Sequence, residues 1–437
     1  MIFSNITIPL LGLVDTAVLG HLDQAYYLGG STVGAMIITF VTWLCGFLRM
    51  STTGLTAQAL GEENAQKSLL VLLRGLLVAC LIGGALILLQ SFYLDLSLGL
   101  AGGSEQIQFY AKQYCDIRIW GLPAALSNLV ILGWLLGNHK AKAVMWILIV
   151  TNLINLSLDL LFVLVFDWQV QGVASATLIA EYSGVIIGLA YIIFAQQIGN
   201  RQSLKSILIK MMGKFTDIRD QLFEKSALIN YFQLNRDILI RTLCLEICFV
   251  FITFQGARLG DDVIATNAIL MNFVLLISFG LDGIANAAEV LVGKAQGQKN
   301  LQQRNFVVKI ALFWTGLFAL TYSALFAIAG DFLIGLLTDI PEVVFTTEQY
   351  VHWMIILPIL GCWCYLFDGV FVGLMKANVM RNSMIIATFG CFFPMWWLLQ
   401  GFGNHGLWAA FSVFLLVRGL SLAWHYYRVI EKQAISL

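Results

Sequence analysis

The chain is 437 residues long, 59% hydrophobic and 11% charged, with a mean hydropathy of +0.84. That make-up excludes a soluble domain, in which about a quarter of the residues are charged. The 25 basic and 25 acidic residues cancel, and a pI near 6.9 leaves no basic surface of the kind nucleic acid requires.

Apolar stretches of membrane-spanning length fall at about 2–20, 33–56, 69–90, 114–137, 143–166, 172–195, 238–257, 263–292, 306–329, 350–374, 383–401 and 406–427, which makes twelve spans. The chain opens on the first of these rather than on a basic leader with a cleavage site, so no outer-membrane barrel is expected. The one long polar connection, 196–237, carries Arg201, Lys205, Lys210, Lys214, Arg219, Lys225 and Arg236. It divides an N-terminal lobe, 1–195, from a C-terminal lobe, 238–437. On alternate sides of the spans the basic residues segregate. Lys67, Lys140, Lys142, the connection, Lys294, Lys299, Arg304, Lys376, Arg381, Arg428 and Lys432 share one side, and little beyond Lys112 and Arg258 stands on the other. Both termini are therefore expected to be cytoplasmic, in a multi-pass membrane protein.

The second half repeats the first. At a separation of 236 residues Gly20 meets Gly256, Gly61 meets Gly297, Gly133 meets Gly369, Gly137 meets Gly373, and Lys140-Ala141 meets Lys376-Ala377. Each half holds an even number of spans, so the two halves enter the membrane in one orientation, related by an axis along the membrane normal. The GxxxG pairs Gly133/Gly137, Gly184/Gly188 and Gly369/Gly373 are expected to bring helices close together within each half. The eight cysteines lie in or beside apolar runs without metal-type spacing and read as reduced packing residues, so no metal site is expected.

Eight carboxylates stand inside apolar spans: Asp15, Asp116, Asp159, Glu181, Glu246, Asp282, Glu289 and Asp368. Each costs about 2.5 to 3.5 kcal/mol even on a lenient insertion scale, which makes it a functional candidate by default. In the fifth span Asn152, Asn155 and Asp159 follow an i, i+3, i+7 stripe, and in the sixth Thr177, Glu181, Gly184 and Gly188 form another. If both stripes meet Asp15 of the first span, the N-terminal half holds a polar chamber able to take up a cation. A buried carboxyl group is relieved by a proton or a bound sodium ion, and Asp15 and Asp159 can share that load. The competing reading is a static network or an ion pair with Arg49 or Arg118. Asp116 and Arg118 are assigned to a span end. In the second half Ser278, Asp282, Asn286 and Glu289 form a stripe, with Glu246 and Asp368 able to face it, and Glu289 close enough to the cytoplasmic end to be solvated. Trp43, Trp120, Trp134, Trp353 and Trp363 suit either stacking on a cationic substrate or anchoring at the membrane interface.

At LVDTAVLGHL (13–22), FLRMSTTGLTAQALG (47–61) and DGIANAAE (282–289) the chain resembles the multidrug and toxic-compound extrusion (MATE) family, in its DinF branch, and the resemblance extends over essentially the whole sequence. It implies an all-α polytopic membrane protein, twelve transmembrane helices forming two parallel-repeat six-helix bundles around a central cavity. The activity implied is antiport: amphipathic, often cationic organic compounds leave by alternating access in exchange for protons or sodium. Residue by residue, Asp15, Asn155, Asp159 and Thr177 match the family's N-lobe cation site, where protonation is thought to rearrange hydrogen bonds and bend the first helix. Glu246 and Asp368 resemble the C-lobe acidic pair that other branches use.

The expected function is thus a proton-coupled multidrug antiporter, conferring antibiotic resistance and acting as a monomer, with no cofactor beyond the coupling ion. Asp15 and Asp159 carry the proton, Asn155 and Thr177 support them, and Glu181, Asn152, Glu246, Asp282 and Asp368 are further candidates. Sodium coupling is the alternative. A lipid-intermediate flippase would be expected to need more interior basic residues than Arg49, Arg74 and Arg118. An enzyme is not expected, since no metal-binding or His-rich motif lies within a span, and a channel accounts for neither the repeat nor the paired carboxylates.

Overall fold

The structure is a computed structural model that describes residues 25–101, 104–200, 220–338 and 340–431. The first predicted span, with Asp15, and residues 201–219 of the connection lie outside the described residues. Those described form helices and no strand. In chain order the helices are α1 Ala25–Leu44, α2 Phe47–Gly61, α3 Ala65–Leu88, α4 Gln90–Ala101, α5 Glu105–Arg118, α6 Leu122–Gly137, α7 Ala141–Asp159 and α8 Gln169–Asn200. They continue with α9 Lys225–Leu259, α10 Asp261–Gly297, α11 Leu301–Gly335, α12 Pro341–Gly373, α13 Ala377–Ile385, α14 Phe393–Leu399 and α15 Asn404–His425. Among the described residues ten helical segments are long and apolar enough to cross a membrane, as lipid demands of a backbone that must satisfy its own hydrogen bonds. These ten take in the predicted second to sixth and eighth to twelfth spans. The predicted seventh lies within α9, which begins at Lys225, so the last part of the polar connection, including Arg236, is helical.

The chain divides into two compact units, one reaching to Tyr231 and the other starting at Phe232. Within each the same local devices recur 236 residues apart. Asn64 caps α3 by accepting the Lys67 amide at 2.9 Å, and Asn300 caps α11 by accepting the Gln303 amide at 2.9 Å. Each cap is preceded by a residue in the left-handed region, Glu63 (φ 54°) and Lys299 (φ 55°). The turn after α6 uses His139 (φ 59°), and the turn after α12 uses Met375 (φ 57°). Such a conformation disfavours side chains with a Cβ, so its return at equivalent places shows that the two halves are folded alike, not merely similar in hydropathy.

Two expectations are corrected. Arg118 does not stand at a span end: α5 passes through a short 3₁₀ turn, Ile119–Gly121, into α6, which puts the guanidinium midway along one continuous helical path, 6% exposed. Glu289 is not solvated but only 2% exposed, because its helix turn is pressed against Gly373.

In the first unit, the far end of the connection is tied to α3. Arg74 donates to the carbonyl oxygens of Gln221 and Leu222, and Gln66 Nε2 donates to Gln221 Oε1 at 2.8 Å. The second unit has a large apolar core built on α10, α12 and α15, with Trp408, Phe411 and Phe414 fully buried.

Candidate functional site

In the first unit α7 and α8 are joined by a tight turn in which Asp167 (φ 56°) and Gln169 (φ 49°) both take the left-handed region, so the two helices run back along one another. Asn155 and Asp159 are one turn apart on α7 and share a face. That face is closed off: Asn155 is 1% exposed, Asp159 0% and Thr177 of α8 8%. Directly after Asp159 the helix widens into a π turn, Leu160–Val165, a feature concentrated at functional sites because it frees backbone groups and re-aims side chains.

The Asn155 amide joins the two helices: its Nδ2 donates to Asp159 Oδ2 at 3.1 Å, and its Oδ1 accepts from the Thr177 hydroxyl at 3.1 Å and from the Thr177 backbone amide at 3.3 Å. A hydrogen-bond chain thus reaches from the Asp159 carboxyl group on α7 to α8.

Glu181, one turn beyond Thr177 on α8, is held by a different partner. Glu181 forms a two-pronged ion pair with Arg118, at 2.7 and 2.8 Å, linking α8 to α5. Asn128 of α6 donates to the Glu181 backbone oxygen at 2.8 Å. Arg118 thus neutralises Glu181. Asn152 is half-buried on α7. Asp15 lies outside the described residues.

In the second unit Asp368 of α12 accepts through one oxygen, Oδ2, from two guanidinium groups, Arg241 of α9 and Arg418 of α15. The side chains are 8%, 15% and 2% exposed respectively, so three helices meet at a buried charge cluster. Sequence reasoning missed both arginines, although each is a cation inside an apolar span and carries the same signal that singled out the carboxylates. Asp368 is held by these cations rather than by a partnership with Glu246. Glu246 is half-buried on α9, and its Oε1 has no hydrogen-bond partner among the described residues. Asp282 is half-buried on α10, one turn from Ser278, whose hydroxyl pairs with that of Tyr365 at 2.7 Å. Of the tryptophans, Trp134 is buried and donates to the Ser68 carbonyl at 2.9 Å, Trp353 donates to His405 Nδ1 at 3.3 Å, and Trp43 and Trp120 are exposed.

Two helical units built on one repeat, each with polar side chains buried between membrane-spanning helices, are the architecture of a membrane transporter. The chain belongs to the MatE family, whose model matches residues 1–161 and 238–398, one stretch in each half. It is 44% identical to the DNA damage-inducible protein F of Escherichia coli (strain K12), over 97% of this chain and 89% of that protein. With the probable multidrug resistance protein NorM of Pseudomonas syringae pv. tomato it shares 22% identity, covering 100% of this chain and 95% of the other. Its fold matches a MATE crystal structure in the bent conformation with a TM-score of 0.84, at 16% identity, over 100% of this chain and 95% of that one. The protein is a multi-pass membrane transporter of the multidrug and toxin efflux family, and not an enzyme.

Proposed function

We propose that this transporter is a proton-driven antiporter of a bacterial inner membrane, exporting amphipathic, often cationic organic compounds by alternating access. Asp159 carries the proton together with Asp15, Asn155 and Thr177 transmit its arrival, and the protein works as a monomer with both termini cytoplasmic. The observation behind this reading is the buried chain in which the Asn155 amide links the Asp159 carboxyl group to the Thr177 hydroxyl. A carboxyl group with no exposed surface can change its charge at small cost only if its neighbours exchange donor for acceptor at the same moment, and a terminal amide does so by turning over. The π turn beside Asp159 gives the helix a place to yield when the bonds rearrange. Asp15 enters on the sequence match alone.

The test is uptake of a cationic dye into everted vesicles under an imposed proton gradient and, separately, an imposed sodium gradient, for wild type, Asp159→Asn and Asp15→Asn. Proton-driven uptake lost in both variants, with wild-type levels of folded protein, is the expected result. Sodium-driven uptake, or proton-driven uptake that survives Asp159→Asn, would refute the assignment.

A further inference from the structure

The charge cluster of the second unit has a chemistry that proton carriage does not use. Arg241 and Arg418 both bond the same oxygen of Asp368. A guanidinium group offers five N–H donors in a planar fork, and a single carboxylate oxygen occupies only a fraction of two such forks. The Arg241 Nε is buried and has no hydrogen-bond partner among the described residues. Asp237, one turn before Arg241 on α9, is taken by Arg381 at 2.7 Å and Arg236 at 3.0 Å. Close by, Ser278 and Tyr365 share one hydrogen bond between two hydroxyl groups, so one O–H remains to donate elsewhere. Tyr365 stands one turn before Asp368 on α12, which puts the hydroxyl pair and the charge cluster on the same stretch of that helix. Ser278, Tyr365, Asp282 and Arg241 are only partly buried, so this polar face is not sealed within the core.

We infer that this face of the second unit binds the carboxylate of an amphipathic compound, with Arg241 as the principal donor and the Ser278–Tyr365 pair supplying a hydroxyl. Asp368 is the internal competitor, a tethered carboxylate that holds the two guanidinium groups in place and yields part of their bonding capacity to the incoming anion. This goes beyond the cationic compounds named above and rests on the reading of the chain as an exporter only in treating the anion as cargo.

The test uses one aromatic ring carrying three different groups: 1-naphthoate, neutral 1-naphthamide and the 1-naphthylmethylammonium ion. Binding to the purified full-length chain in lipid nanodiscs is measured by calorimetry. Wild type is expected to bind naphthoate at least about tenfold more tightly than naphthamide, the factor that one charge-assisted hydrogen bond supplies. Arg241→Gln, which keeps the Arg418–Asp368 pair, should abolish that preference and leave the naphthylmethylammonium ion unaffected. Asp368→Asn should strengthen naphthoate binding several-fold, and naphthoate should raise its melting temperature more than that of wild type. A cluster that only braces the fold would weaken both variants alike. Equal binding of naphthoate and naphthamide by wild type, or a preference that survives Arg241→Gln, would overturn the inference. Dye uptake is measured separately. A chain that binds naphthoate through Arg241 but exports nothing refutes the exporter reading alone, and one that exports dye without preferring naphthoate refutes only the anion site.

Discussion

Gly369 of α12 lies directly against the carbonyl oxygen of Ala285 in α10, so close that a Cβ at this position would overlap it. The relationship is duplicated 236 residues earlier, where Gly133 of α6 lies against the carbonyl oxygen of Arg49 in α2. One turn further on, Gly373 meets the Glu289 carbonyl and Gly137 meets the Thr53 carbonyl. In each unit one pair of helices therefore crosses backbone to backbone through a GxxxG stripe, which adds dispersion contact where lipid provides no hydrophobic drive.

Because the obstacle is backbone and cannot rotate away, Gly133→Ala and Gly369→Ala should each force the helices apart. A loss of about 1 to 3 kcal/mol is expected, the usual range for overpacking. Gly84→Ala is the control, since nothing lies within 4 Å of a Cβ there. It should be neutral, or stabilising by up to about 1 kcal/mol through helix propensity. Melting temperatures in detergent distinguish the two outcomes.

Removing one member of the Arg118–Glu181 pair strands a buried charge. Arg118→Met alone is expected to cost roughly 3 to 5 kcal/mol, and Arg118→Met combined with Glu181→Leu should recover most of it. A double variant as unstable as the single one would show that the pair contributes more than mutual neutralisation.

Thr177→Ala removes the hydroxyl that joins Asn155 to α8. A buried amide left short of a partner costs about 1 to 3 kcal/mol, so proton-driven dye uptake should fall by about tenfold or more. Thr177→Ser, which keeps the hydroxyl, should restore it. Equal loss in both variants would point to packing instead.

Glu246→Gln removes the charge from a side chain outside the Asp159 group, and proton-driven uptake should stay within about twofold of wild type, as for a substitution that touches no working contact. Loss of coupling in this variant would move the site to the second unit.

The sequence by itself determined the spans that fall on described residues, and the repeat. Hydropathy over about 20 residues is a local sum, and a helix of that length must form wherever such a stretch meets lipid. It also determined that Asn155 and Asp159 share a face, because helical periodicity places residues one turn apart together whatever surrounds them. What it left open was the partner of each buried charge. Arg118 lies as close in sequence to Asp116 as to any acid, yet it pairs with Glu181, 63 residues away. By sequence Asp368 groups with Glu246, whereas Arg241 and Arg418, from helices 127 and 50 residues distant, take its oxygen. Glu289 lies close enough to the cytoplasmic end to be solvated, yet the close crossing at Gly373 buries it. Only tertiary structure decided these points. A buried ion's partner is whichever opposite charge the packing of other helices brings within about 3 Å, and no spacing along the chain records that encounter.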